Sequence, residues 1–137
     1  MKIGCPIGHI RGERFIYMEI IKTNVDLASK KMLYKLTRSA GLMVQEAPDR
    51  LSVPVYAWAL YNDPKEARDG TLKDNTVLSF VDRAGGKYST VSATFIREFM
   101  SIVDIMDGDP FAVLLVHGTT KAGKPFVTCE LDCDFAE

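Results

Sequence analysis

Cysteine and histidine are scarce in this chain. Cys5, Cys129 and Cys133 are its three cysteines, spread over 137 residues. An odd number without dense spacing excludes a disulfide framework and points to reduced thiols inside a cell. The two histidines, His9 and His117, lie far apart, and no Ser-His-Asp, Cys-His or paired-His arrangement surrounds either. His117, at the end of an apolar run, reads as a satisfied structural residue. Cys129-x-x-x-Cys133 lacks the second ligand pair of a zinc site. Asp104, Asp107 and Asp109 lack the loop and closing Glu of a calcium site, and read as a helix stop and turn. The expectation is a protein that is not an enzyme and uses no cofactor or metal. A run of 18 apolar residues is also missing, so no helix is expected to span a membrane. Residues 1–17 carry Lys2, Arg11, Glu13 and Arg14 and lack the apolar core of a signal peptide. Together these absences describe a cytoplasmic chain of one domain, large enough to bury about two-thirds of its unfolded surface.

Basic excess is missing as well, since the net charge is −1. The distribution is more informative than the sum. Residues 129–137 hold Glu130, Asp132, Asp134 and Glu137 and no Lys or Arg, which leaves 17 basic against 14 acidic side chains elsewhere, a net of +3. A mildly basic body with an acidic end is one layout of nucleic-acid binders, and also a common arrangement without that meaning.

What is present is a rhythm of strands around one helix. Residues 1–17 are rich in Gly and scattered charge and read as a peripheral extension. Residues 26–40 have Leu27, Leu33, Tyr34 and Leu36 largely on one side, which predicts a helix, with Asp26 as its cap and Gly41 as a left-handed stop. Strands are predicted over 53–62, 75–82 and 87–91, with the two glycines of "RAGG" closing a tight hairpin between the second and third. Phe95, Ile96, Phe99, Ile102, Val103 and Met106 then recur at helical spacing, which predicts a helix over 94–106. Two more strands follow, over 111–117 and 126–132. Three strands, a helix and two strands is the element order of the OB-fold, a five-stranded partly open barrel. The expected architecture is therefore mostly β, an OB-like barrel over residues 18–132 with an extra N-terminal helix, and an acidic tail over 133–137.

The segment "GTTKAGK", Gly118 to Lys124, has the spacing of a phosphate-binding loop. Pro125 stands where that loop needs a hydroxyl, and "FVTCELD" alternates like a strand where a helix would have to start. A hairpin loop is the better reading, with Gly123 supplying a permissive backbone angle. In an OB-fold this loop flanks the groove that binds oligonucleotides, which makes Lys121 and Lys124 candidate phosphate contacts. Arg83, Lys87 and Arg97 lie in a segment, 83–97, with no acidic residue and join them as candidates. Single-strand binding also needs aromatic faces for bases. Tyr56, Trp58 and Tyr88 are the candidates. Strict alternation would put Val55, Ala57 and Ala59 on a core face, and Tyr56 and Trp58 on the other; Trp58 reads equally well as the anchor of the barrel.

From Met18 onward, "LYKLTRSAG", "NTVLSFVDRAGGKYSTVSATFIREFMSIVDI" and "HGTTKAGKPFVTCELD" resemble small single-stranded DNA-binding proteins encoded by phages and mobile elements. The ending "CELDCDFAE" is similar in composition to the acidic, Phe-containing tails with which such proteins recruit partners. The resemblance implies a sequence-tolerant single-stranded DNA-binding protein, with RNA not distinguished, acting in replication or recombination. It implies a homo-oligomer, and replication or recombination proteins as partners of the acidic end. The other reading open at this point is a protein-interaction module, such as a host-takeover or inhibitor protein, that binds no nucleic acid.

Overall fold

The computed structural model describes residues 18–136, together with the backbone of β1 (Ile3–Cys5), β2 (Ile10–Arg11) and β3 (Arg14–Phe15). The expected peripheral extension lies largely outside the described residues, although the backbone of β1 pairs antiparallel with β4 (Met18–Thr23). Next come α1 (Lys30–Thr37), β5 (Leu42–Met43), a 3-10 turn at Val44–Glu46 and β6 (Leu51–Asn62). A small hairpin, β7 (Lys65–Glu66) and β8 (Leu72–Lys73), leads to β9 (Thr76–Asp82) and β10 (Lys87–Thr90). The chain ends with α2 (Ala93–Met106), β11 (Phe111–Thr119) and β12 (Pro125–Leu131). The protein is mostly β, with its main sheet curled into a half-barrel and two helices against it. No helix among the described residues is long and apolar enough to cross a membrane.

The apolar, β-branched run from Leu51 makes β6 the organising strand. One edge pairs with β9 over residues 55–62. The other edge is divided: residues 51–55 pair with β11, and residues 59–62 pair with β4. The sheet order is β1-β4-β6-β9-β10-β5, with β11 branching from β6 and β12 from β11. Between β10 and β12 the 3-10 turn fills the seam, with Val44 and Ala47 in the core.

Both faces of β6 and β9 are buried, and a bulge makes this possible. The register shifts between Val55 and Ala57, so two residues that alternation would place together face opposite ways. Val53, Val55 and Trp58 join Leu78, Phe80 and Val113 in the core under α2. Ala57, Ala59 and Tyr61 join Val77 and Val81 in a second core under α1, against Leu33 and Leu36. The expected shared face of Val55, Ala57 and Ala59 is thus corrected. The spare residue at the bulge, Tyr56, points outward and is 60% exposed.

α2 follows the predicted pattern. Phe95, Phe99 and Ile102 turn inward at four- and three-residue spacing, and Ser92 Oγ accepts the Phe95 N–H. Asp107, in the left-handed region at φ 47°, and Gly108 end the helix. α1 is shorter than the spacing predicts. Asp26 uses its carboxylate to hold the Ala28 N–H in a turn, and the hydroxyls of Thr37 and Ser39 bond back to the carbonyls of Leu33 and Lys35. Gly41 is not a left-handed cap. It lies so close to β10 that a Cβ there would stand 2.7 Å from the Lys87 carbonyl oxygen. The Thr119–Lys124 segment is a hairpin loop, as its sequence indicates: Thr120 N–H donates to the Lys124 carbonyl and Gly123 has φ 84°.

Cys129 sits in the α2 core at 3% exposure, where burial, with minor help from Glu98 and Glu130, pushes its thiol up to about 12. Tyr61, also buried, has its hydroxyl pKa raised mainly by loss of solvation. A raised acid pKa favours folding below the unfolded value and is lost above it. Unfolded thiolate forms from about pH 9, so stability should fall as pH rises from 9 towards 12. Urea midpoints measured across that range should fall less in Cys129→Ala than in the wild type. Iodoacetamide followed by mass spectrometry should label exposed Cys133 in the native protein and Cys129 only after unfolding.

Candidate nucleic-acid interface

Where β4 and β11 part along the same edge of β6, three residues of β6 are left without a neighbouring strand. Their backbone groups still need partners. Asn24, just after β4, supplies them. Its Oδ1 accepts the Trp58 N–H at 2.8 Å, and its Nδ2 donates to the Tyr56 carbonyl at 3.3 Å. Thr23 Oγ1 donates to the Trp58 carbonyl at 2.6 Å. Asn24 therefore splices the divided edge. Asn24→Ala removes both side-chain bonds and strands a largely buried N–H, so it should cost about 1–3 kcal/mol. Urea denaturation reads this out; an unchanged midpoint would mean that water replaces the amide.

The parting of the strands opens a cleft of ≈ 450 Å³, within the roughly 300–1,000 Å³ of small-ligand sites. Lys22, Thr23 and Asn24 form one wall, and Asp109, Pro110 and Phe111 another. Tyr56, Trp58 and Arg83 also line it. Lys22 is half exposed, with Asp104 at 3.7 Å. Arg83 lies over the Phe135 ring at 5.7 Å, which ties the middle of the acidic tail to a residue that lines the cleft. An exposed aromatic ring in one cleft with two cations suits a base and its neighbouring phosphates.

The cleft brings together Tyr56, Trp58 and Arg83 of the residues proposed from sequence. Trp58 is there as an anchor, not a platform: it is 4% exposed, with its ring edge-to-face on Phe99 at 6.1 Å, so it offers no face to a base. Lys87 is also withdrawn from the surface. Its Nζ donates to the Ser39 carbonyl at 2.6 Å, and burial lowers its pKa below the usual lysine range. Tyr88 is half-buried and stacks on Phe80 at 5.5 Å between ring centroids. Arg97 is exposed on the first turns of α2, 3.8 Å from Glu98. Lys121 and Lys124 are exposed at the β11–β12 tip, which lies beyond Thr119, about 26 Å of strand from Phe111 at the cleft. Sequence reasoning missed Lys22 and Asn24, whose roles exist only through pairing with residues more than 30 positions away.

A second hollow, of ≈ 460 Å³, lies at the seam between β10 and β12 and is lined by Val44, Gln45, Thr90, His117 and Phe126 among others. His117 is not the satisfied residue its sequence context suggests. Its backbone N–H donates to the Asp49 carboxylate, but the buried Nε2 has no hydrogen-bond partner. No group of three or more potential ligands able to hold a metal occurs among the described residues. Comparison with known proteins gives no match to a protein-family model, a curated protein or a solved structure.

Proposed function

We propose that this chain is a sequence-tolerant single-stranded DNA-binding protein on an OB-like half-barrel. The observation that carries the reading is the cleft at the divided edge of β6, where exposed Tyr56 stands with Arg83 and Lys22. The OB-like reading is supported by connectivity: β6 pairs with both β9 and β11, β11 pairs with β12, and α2 joins β10 to β11. In place of a ladder between β10 and β12, the seam holds the 3-10 turn, so the barrel stays partly open. The sequence resemblance adds the setting: replication or recombination of a phage or mobile element, in the cytoplasm, as a homo-oligomer whose acidic end meets other proteins.

Binding in this reading is a stacking contact with a modest phosphate component. The chain's net charge of −1 gives no long-range attraction to a polyanion, and with only a few phosphates neutralised affinity should weaken moderately with salt, by roughly 0.7 in log–log slope for each phosphate contacted. Fluorescence anisotropy of labelled oligo-dT, titrated with protein at low and at high salt, tests the proposal. Binding at low salt that weakens at high salt is expected, and absence of binding at low salt sinks it. A parallel titration with oligo-U separates DNA from RNA.

A further inference from the structure

In an OB-fold, oligonucleotides are bound on the face of the second and third strands. Here the corresponding face of β9 is not open. α1 lies across it, with Leu33 and Leu36 packed against Val77 and Val81. The outermost layer on that side is the other face of α1. Lys30 and Lys31 are exposed there, and Tyr34 is 59% exposed. Lys30, Tyr34 and Arg38 recur every four residues and form one stripe, with Lys31 and Lys35 beside it. Residues 27–45 contain these four cations and no Asp or Glu. Arg38 has Asp63 at 3.7 Å, whereas Lys30, Lys31 and Lys35 make no ion pair among the described residues.

The fold sets this segment against the second acid-free segment, 83–97. Lys35 Nζ lies beside Gly85, 3.2 Å from where a Cβ would stand, and Lys87 Nζ bonds the Ser39 carbonyl after α1. Arg83, on the same β9–β10 turn, lines the cleft. Tyr56 walls the cleft on one side and, on the other, a hollow formed with Ser29 and Met32 at the start of α1. Cations and exposed rings therefore continue from Lys22 past Tyr56 and Arg83 to Lys35, Lys31, Lys30 and Tyr34. The carboxylates along this path are Asp104 beside Lys22, Asp109 in the cleft wall and Asp26 in the hollow beside Tyr56, with Asp63 and Asp82 on the margin.

We infer that a single-stranded nucleic acid held in the cleft continues past Tyr56 over the outward face of α1, where Lys30, Lys31 and Lys35 contact its phosphates and Tyr34 stacks on a base. The inference rests on the proposed reading of the cleft and extends it to a second surface. A lipid surface fits less well. A membrane-lying helix needs a free apolar face, and the apolar face of α1 is already buried in the second core.

The test compares the wild type with K30Q/K31Q/K35Q and with Tyr34→Ala, using a short oligo-dT of about 5 nucleotides that fills only the cleft and a long one of about 20. The substituted side chains make no core contacts, and unchanged thermal midpoints confirm folding. For the long oligonucleotide, the triple variant should lose on the order of tenfold in affinity at low salt. Its slope of log affinity against log salt should flatten by about 2, at roughly 0.7 for each phosphate that the lysines neutralise. Tyr34→Ala should weaken long-oligonucleotide binding without changing the slope. The short-oligonucleotide titration should be the same for all three proteins. Wild-type binding that the triple variant reproduces in affinity and slope overturns the α1 path and leaves the cleft standing. Failure of the wild type to bind either length overturns both. Lysine-dependent binding to an acidic peptide or to phosphatidylserine vesicles, with none to oligo-dT, also overturns the path.

Discussion

Replacing Phe80 with Ala is expected to destabilise the protein by about 3–5 kcal/mol, the cost of emptying a large buried aromatic site. Phe80 is fully buried in the middle strand of the sheet. Its ring stacks with Tyr88, Phe95 and Phe99 at centroid distances of 5.5, 6.0 and 5.2 Å, so it ties β9 and β10 to α2. Each such pair adds roughly 0.5–1.5 kcal/mol beyond area burial. Neighbouring strands hold the ring from both sides, so the cavity can collapse only partly. In a chain of this length the loss corresponds to a thermal midpoint lower by roughly 10–17 °C. Set against a typical total of about 5–15 kcal/mol, it leaves a marginal fold. Ile105→Ala, at a side chain 74% exposed on α2, is the control and should stay within about 0.5 kcal/mol of the wild type. A Phe80→Ala variant within about 1 kcal/mol of the wild type would show that the aromatic stack is not the centre of the core.

The second large effect concerns binding. Tyr56→Ala should weaken oligo-dT binding by about 1–3 kcal/mol, the range for one base stacked on an aromatic ring. That is roughly 5- to 150-fold in Kd. Its salt dependence should remain as in the wild type, because no cation is removed. Tyr56→Phe keeps the ring and should bind almost normally. Because Tyr56 is exposed at a bulge, its truncation removes little packing, and the thermal midpoint should hardly move. Equal affinity of Tyr56→Ala and wild type would remove the ring from the interface.

These two side chains also show what the sequence makes legible. Phe95, Phe99 and Ile102 announce α2 because a helix buried on one side imprints its period on the sequence. The existence of β6 is equally clear from its β-branched and aromatic content. Its facing is not, because a single extra residue at Tyr56 exchanges the two faces, and nothing local distinguishes a bulge from continued alternation. Trp58 therefore keeps two readings until Phe99 is seen against it. The boundaries of α1 are misread for a related reason: Asp26, Thr37 and Ser39 spend their polar groups on local turns, and Gly41 serves close packing. β4 escapes notice because "MEIIKT" is short and mixed, and gains its identity only by pairing with β6. At the cleft, Tyr56 and Arg83 can be named from residue type, whereas Asn24 matters only because two strands share one edge.

That shared edge has a consequence for the order in which the molecule can be completed. β4 is made before β6, and its half of the edge can be zipped as soon as residue 62 exists. The other half has to wait for Phe111–Leu115, almost fifty residues later. One wall of the cleft is thus available early during synthesis, and the opposite wall arrives only with Asp109–Phe111 at the start of β11. Until then Val53 and Val55 lie at a bare strand edge open to pairing with another chain, and the newborn protein has no cleft at this edge. A molecule that fits the cleft can select only chains in which β11 is already in place.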